Sequence, residues 1–315
     1  MDTSNTPELS ALADTAGLGL SAVVAGLRTS REVTNKIRHR GKIRELPSRE
    51  AMQELLQHLQ AALFPTHYGH TDLSDETIDY FVGSQLNAAL CILKEQTRRG
   101  LHFSSEFDDQ AGQDDVLRER AATITRDFAH QLPSIRDVLV SDIQAAYHGD
   151  PAASSISEIL LCYPGTTAII YHRLAHALHQ LGAPLLARLI ADIAHSATGI
   201  DIHPAAQIGP SFFIDHGTGV VIGETTIIGR NVRLYQAVTL GAKRFPQEAD
   251  GSLVKGIPRH PIVEDDVVVY AGATLLGRIT IGRGSVIGGN VWLTHSVPAG
   301  SNVAQAEMNS ECKQF

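Results

Sequence analysis

Apolar residues along this chain recur with two different periods, and the change falls near Gly199. From about residue 45 to 197 they return at helical spacing, as in Met52, Leu55, Leu56, Leu59 and Leu63, then Ile78, Phe81, Val82, Leu86, Leu90 and Leu93. That is the pattern of packed helices with one buried face. Breakers at Phe64-Pro65-Thr66, the polar stretch from Ser104 to Asp115, Pro133, Gly149-Asp150-Pro151, Pro164-Gly165 and Gly182 to Pro184 divide this half. They predict roughly six or seven helices. The first 35 residues have weak periodicity and are expected to be poorly ordered.

Beyond Gly199 the spacing becomes six. Ile202, Ile208, Ile214, Val220, Thr226, Val232 and Val238 keep one phase, which resumes after Gly241 to Pro261 at Ile262, Val268, Thr274, Thr280, Val286 and Trp292. A hexapeptide repeat predicts a parallel β-helix, in which each short strand sets one inward side chain and a turn follows. Gly209, Gly223, Gly229, Gly282 and Gly288 fall at turns where a Cβ would crowd the backbone. Because the phase survives the interruption, residues 241–261 read as a loop extruded from one corner. The expected architecture is α+β. It comprises a poorly ordered segment 1–35, a helical domain 36–197, a β-helix domain 198–299 containing the loop 241–261, and a tail 300–315 without periodicity.

Composition narrows the function classes. The 315 residues are 43 % hydrophobic, enough for a substantial core, and the formal charge of -8 argues against a sequence-independent grip on nucleic acid. Arg38-His39-Arg40-Gly41-Lys42, the dense basic run near the N-terminus, reads as a solvated surface segment. Cys91, Cys162 and Cys312 are odd in number and far apart, which fits neither a disulfide framework nor a Cys-x-x-Cys metal site and points to a reducing cytoplasm. The apolar stretch 16–27 follows Asp2, Glu8 and Asp14 without a basic region and is too short to span a bilayer, so no membrane role is expected.

Local words carry the reading further. The run IDIHPAAQIGPSFFIDHGTGVVIGET, then VTLGAK, then GIPRHPIV, resembles the serine acetyltransferase signature over roughly residues 145 to 298. Asp150-Pro151-Ala152 also matches that family, while LGAK, GGNVWLT and the long corner loop resemble its longer-chain branch. The resemblance implies a left-handed β-helix and trimers, or dimers of trimers, with active sites between subunits. It implies L-serine as acceptor, acetyl-CoA as co-substrate with no permanently bound cofactor, and L-cysteine as feedback inhibitor. It further implies docking of the C-terminal tail into O-acetylserine sulfhydrylase, although family tails typically end in isoleucine and this one ends in Phe315.

A serine hydroxyl attacks a thioester only with a base in reach, and histidine suits that task when an acceptor holds its second ring nitrogen. The resemblance makes His216 that base and Asp201 its partner. Asp150 and Asp215 match the acids that hold the ammonium, and Arg259 and His260 match the carboxylate side. Gly241, Ala242, Ala271, Gly272 and Gly289 match positions along which the coenzyme's pantetheine arm approaches the backbone. Three other readings stand beside this one: a different acceptor, such as homoserine or a sugar; a zinc-dependent hydratase; and a non-catalytic scaffold. His203, His216, His260 and His295 do not follow a recognised metal spacing, and His172, His176 and His179 share one helix face that reads as packing, so no metal ligands are assigned.

Overall fold

The computed structural model describes residues 19–33, 38–39, 42–43, 45–69, 72–105, 114–244, 246, 248 and 250–305. Much of the segment 1–35 and the tail from 306 onward, including Cys312 and Phe315, lies outside the described residues. Within the first segment, Leu20–Val33 forms a helix, α1, although this stretch was expected to be poorly ordered. Good helix formers such as Ala, Leu and Arg favour it there, and its side chains are mostly exposed. The basic run pairs Arg38–His39 with Lys42–Ile43 as two short antiparallel strands.

The helical half follows as α2 (Arg49–Leu63), α3 (Pro65–Tyr68), α4 (Ile78–Ser105), α5 (Asp114–Gly149), α6 (Ile156–Cys162), α7 (Pro164–Gln180) and α8 (Pro184–Thr198). Most boundaries fall at the expected breakers. Ser48 caps α2 through its Oγ, which accepts from the Ala51 N–H at 3.2 Å. Gly199 ends α8 in the left-handed region at φ 71°, its N–H bonded to the His195 carbonyl at 2.8 Å. Pro133 departs from expectation, because α5 runs through it. Leu132, Leu139 and Ile143 are buried on either side, and that packing outweighs one lost backbone bond.

The second half is a three-sided parallel β-helix. Its first face stacks Asp201–Ile202, Val221–Ile222, Thr239–Gly241, Thr274–Leu276 and Trp292–Leu293. The second stacks Gln207–Ile208, Ile227–Ile228, Ile262–Val263 and Thr280–Ile281. The third stacks Phe213–Ile214, Arg233–Leu234, Val268–Val269, Val286–Ile287 and Asn302–Val303.

The repeat is real, but its phase is not continuous. Two inward sets exist, two residues apart: Ile222, Ile228, Leu234 and Leu240 form one, and Val220, Thr226, Val232 and Val238 the other, all buried. Ile214 and Ile222 are eight residues apart where six was expected, and Leu240 and Val263 are 23 apart. After the loop the inward residues are therefore Val263, Val269, Leu275, Ile281, Ile287 and Leu293. The anticipated Ile262 to Trp292 sit one position earlier, and Trp292 is 69 % exposed. Extra residues in the turn after Ile214 and a loop whose length is not a multiple of six cause the slips.

Each coil donates its N–H groups to carbonyls of the next, as Asp201 does to Val220 at 2.9 Å and Gly209 to Ile228 at 2.8 Å. The carbonyls of the first coil consequently face the helical half, and burial there demands partners. Arg173 on α7 donates to the Ile208 carbonyl and, at 2.7 Å, to that of Gly209. His176 Nδ1 bonds the Pro204 carbonyl at 2.8 Å. Arg173 is held in turn by Asp142 on α5, at 3.0 and 3.1 Å, and Asp142 also accepts the Phe212 N–H at 2.8 Å. Burial pushes the Asp142 carboxyl up, with Arg173 and the backbone donors pulling the other way.

Removing one partner of a buried pair strands the other charge. Asp142→Ala is expected to lose about 3–5 kcal/mol in urea unfolding, whereas the exposed Arg283–Asp265 pair, at 3.1 Å, is expected to contribute under about 1 kcal/mol.

Candidate active site

The expected site residues occupy the two ends of the first face. One end is the corner where the third face turns into the first. There Asp215 donates its N–H to the Leu234 carbonyl at 2.9 Å, and His216 follows in the left-handed region at φ 58°. The extra residues of this turn, with Gly217 at φ 87° and Gly219 at φ 81°, push it out from the solenoid. The His216 side chain is 72 % exposed, with Nδ1 3.8 Å from Oδ1 of Asp215, which is only 14 % exposed.

Asp201 enters the same corner. The Gly219 N–H reaches the Gly199 carbonyl at 2.8 Å, so the turn carrying His216 rests on the chain just before Asp201. Among the described residues no hydrogen bond joins the Asp201 and His216 side chains. Asp150 arrives from the helical half, just past the end of α5. Its Oδ1 accepts the Ala152 N–H at 2.8 Å and its Oδ2 the Tyr163 hydroxyl at 2.5 Å. The Tyr163 bond, then that of Ala152, holds the Asp150 carboxyl below its ordinary value, helped by the positive fields of His216 and Arg233. The bond to Asp150 raises the Tyr163 phenol to about 12.

The other end of the face turns into the second. Here Arg259 donates to Glu224 at 2.5 Å, and Thr225 organises its neighbours. Its Oγ1 accepts the N–H groups of Arg259, at 2.9 Å, and His260, at 3.1 Å. The Thr225 N–H donates to His260 Nδ1 at 3.0 Å, which leaves the ring proton of neutral His260 on Nε2. Burial, with Arg259 adding to it, lowers His260 to about 4, so the ring stays neutral near pH 7. Gly223 is required here, since a Cβ would come 2.0 Å from the His260 ring. Glu224 is pushed up by burial, but its bond to Arg259 and that residue's charge bring it below the usual carboxylate value.

The small residues divide between the two ends. Ala271, Gly272 and Gly289 lie in turns stacked above that of His216, tied by Gly272 N–H to the Gln236 carbonyl at 3.0 Å and Asn290 N–H to that of Ala271 at 2.9 Å. Gly272, at φ 72°, leaves no room for a Cβ, which would lie 2.2 Å from Asn290 Oδ1. Gly241 and Ala242 lie at the Arg259 end, where the corner loop departs. Sequence reasoning missed Tyr163, which stands just before the Pro164-Gly165 breaker, and left Glu224 and Thr225 unassigned inside a quoted word. Among the described residues no group of three or more His, Cys, Asp or Glu could hold a metal ion. His172 is buried, and the His179 and His203 rings meet edge to face at 6.4 Å, which is packing.

Two family models match: the serine acetyltransferase N-terminal model over residues 92–171, and the six-repeat bacterial transferase hexapeptide model over 260–295. A plasmid serine acetyltransferase of Synechococcus elongatus is 56 % identical over 299 residues, covering 93 % of this chain and 92 % of that one. The crystal structure of serine acetyltransferase isoform 3 from Entamoeba histolytica, in complex with cysteine, is 32 % identical with a TM-score of 0.69, covering 94 % and 95 % of the two chains. That of the Neisseria gonorrhoeae serine acetyltransferase in complex with serine is 27 % identical with a TM-score of 0.52, covering 82 % and 95 %.

Burial holds His172, His203 and His260 below the ordinary imidazole value, the last two at about 4. The unfolded chain takes up these protons near pH 6.5 and the folded chain only well below that, near 4 for His203 and His260, so stability present above pH 6.5 is lost as pH falls through that window. The urea midpoint is expected to be lower at pH 5.5 than at 7.5, with part of the difference removed in His203→Asn.

Proposed function

The chain belongs to the serine acetyltransferase family and transfers an acetyl group from acetyl-CoA to L-serine, and from that premise we propose how its residues divide the work. The reaction yields O-acetyl-L-serine and free coenzyme A, the first step of cysteine biosynthesis. His216 is the general base. Its ring takes the proton from the serine Oγ as that oxygen attacks the thioester carbonyl, and returns a proton to the coenzyme sulfur as the C–S bond breaks. No acyl-enzyme is needed when both substrates are held together. What supports this reading is the left-handed His216 on its protruding corner, beside the two acids Asp150 and Asp215.

Asp201, in the same corner, is assigned to orient the ring. Asp150 and Asp215 receive the ammonium. The Arg259 guanidinium and the neutral Nε2–H of His260 receive the carboxylate, with Glu224 sharing Arg259. Within one chain, the extended stretch from Val220 to Glu224, around the strand Val221–Ile222, separates these two groups by roughly 13 Å, whereas the charges of free serine lie only about 3 Å apart. One chain therefore presents two half-sites, and a second copy supplies the complementary half. This supports the trimer that the hexapeptide repeat suggests, with a dimer of trimers as its larger form. It also accounts for the exposure of His216 in the single chain.

The pantetheine arm of acetyl-CoA then runs in the groove between copies, between Ala271, Gly272 and Gly289 of one and Gly241 and Ala242 of the next. L-cysteine shares the ammonium and carboxylate of serine and competes for the same groups. The neighbours crystallised with cysteine and with serine support that reading. Docking of the tail into O-acetylserine sulfhydrylase falls on residues outside those described. No helix among the described residues is long and apolar enough to cross a membrane, and cysteine usage supports a cytoplasmic location.

Thiol release from acetyl-CoA is expected to require L-serine and to exceed that with homoserine. In His216→Ala it should fall by about 10²–10⁴-fold. Arg259→Ala is expected to raise the KM for serine by about tenfold or more while leaving the KM for acetyl-CoA nearly unchanged, the size expected for loss of a charge-assisted bond. A change confined to kcat would contradict the carboxylate assignment.

A further inference from the structure

Tyr163 has no role in the reaction as set out above, yet it touches the acid that defines the ammonium half-site. It caps the start of α7 and is held by its N–H to the Ile159 carbonyl at 3.2 Å. The next residue, Pro164, begins α7 with a ring that fixes its own φ and restricts the residue before it. The phenol is thus delivered from a braced position. Its hydroxyl donates to Asp150 Oδ2 at 2.5 Å, while the Ala152 N–H holds Oδ1 at 2.8 Å.

Both oxygens of Asp150 are therefore fixed before any substrate arrives, and each keeps lone pairs for an ammonium. A partly exposed aspartate on a chain turn would otherwise adopt several rotamers, and binding would have to select one. Tyr163 also lies within the field of Asp215, the second acid of the half-site. Its proton stays on oxygen across the working pH range, so it remains a donor to Asp150 throughout.

We propose that Tyr163 is a positioning residue for the acceptor's ammonium group, fixing the Asp150 carboxylate toward Asp215 and His216 so that α-amino acids bind without reorganising the site. The inference rests on the assignment of Asp150 to the ammonium. It concerns recognition of the acceptor and leaves the chemical step untouched.

The test compares Tyr163→Phe with Asp150→Asn in the full-length protein, reading kcat, the KM for serine, the KM for acetyl-CoA and inhibition by L-cysteine. Tyr163→Phe removes only the hydroxyl. It is expected to raise the KM for serine and the inhibition constant for cysteine by the same factor, about ten- to 150-fold for one bond to a charged group. The kcat and the KM for acetyl-CoA should stay within about twofold, the scatter expected of a change outside the chemical step. A fall in kcat with an unchanged KM for serine, or no change in either, overturns the proposal. If Asp150→Asn also leaves the KM for serine unchanged, the ammonium assignment itself fails. If Asp150→Asn raises it and Tyr163→Phe does not, only the role of Tyr163 fails. Equal unfolding midpoints for wild type and Tyr163→Phe exclude a general loss of structure, and a shifted midpoint with the inhibition constant for cysteine unchanged counts against positioning.

Discussion

The buried Arg173–Asp142 pair is the contact on which the two halves of this protein depend. A parallel β-helix has an open edge at each end, and the carbonyls of its first coil would be buried unsatisfied beneath any apolar cap. Arg173 meets those of Ile208 and Gly209, Asp142 fixes Arg173 and takes the Phe212 N–H, and His176 meets the Pro204 carbonyl. Gly165 at the start of α7 lets the helix approach the same coil, since a Cβ there would lie 2.1 Å from the Ile214 carbonyl. The energetic worth of such a pair against an apolar replacement is modest. Its consequence is geometric. It fixes α5 against the first coil, and so delivers Asp150, at the end of α5, to the corner of His216.

The residues assigned to the chemistry concentrate where the repeat is broken. A regular coil needs six residues per side, and Ile214 to Ile222 uses eight. The added length carries Asp215 and His216 outward. The second break, between Leu240 and Val263, extrudes the corner loop and returns the chain at Arg259 and His260, against Glu224 and Thr225. Both breaks border the first face. A rigid stack of short strands between them sets the separation of acids from cations, the separation on which the proposed site between copies rests.

Much of this was legible beforehand, for identifiable reasons. The helix boundaries at Pro65, Pro164 and Pro184 follow from covalent geometry that no tertiary contact alters. Pro133 misled because the same local rule met strong packing on both sides. The hexad was recognisable although its phase was misjudged: Val220 to Val238 are buried too, and a count that lands on either inward set looks continuous. Arg173 and Asp142 carried no local signal, being 31 residues apart on different helices. Tyr163 was hidden for a similar reason, since it reaches Asp150 across a turn and a short helix.

The sequence by itself determined the two periodicities, the turn glycines, the family words and hence the class of reaction, because these depend on residue types at short spacing. Tertiary structure alone decided which side chains share a corner, which tautomer His260 holds, and that the acids and the cations stand at opposite ends of one face. Those are matters of distance between segments remote in the chain, and of partners for buried polar groups, which no local pattern records.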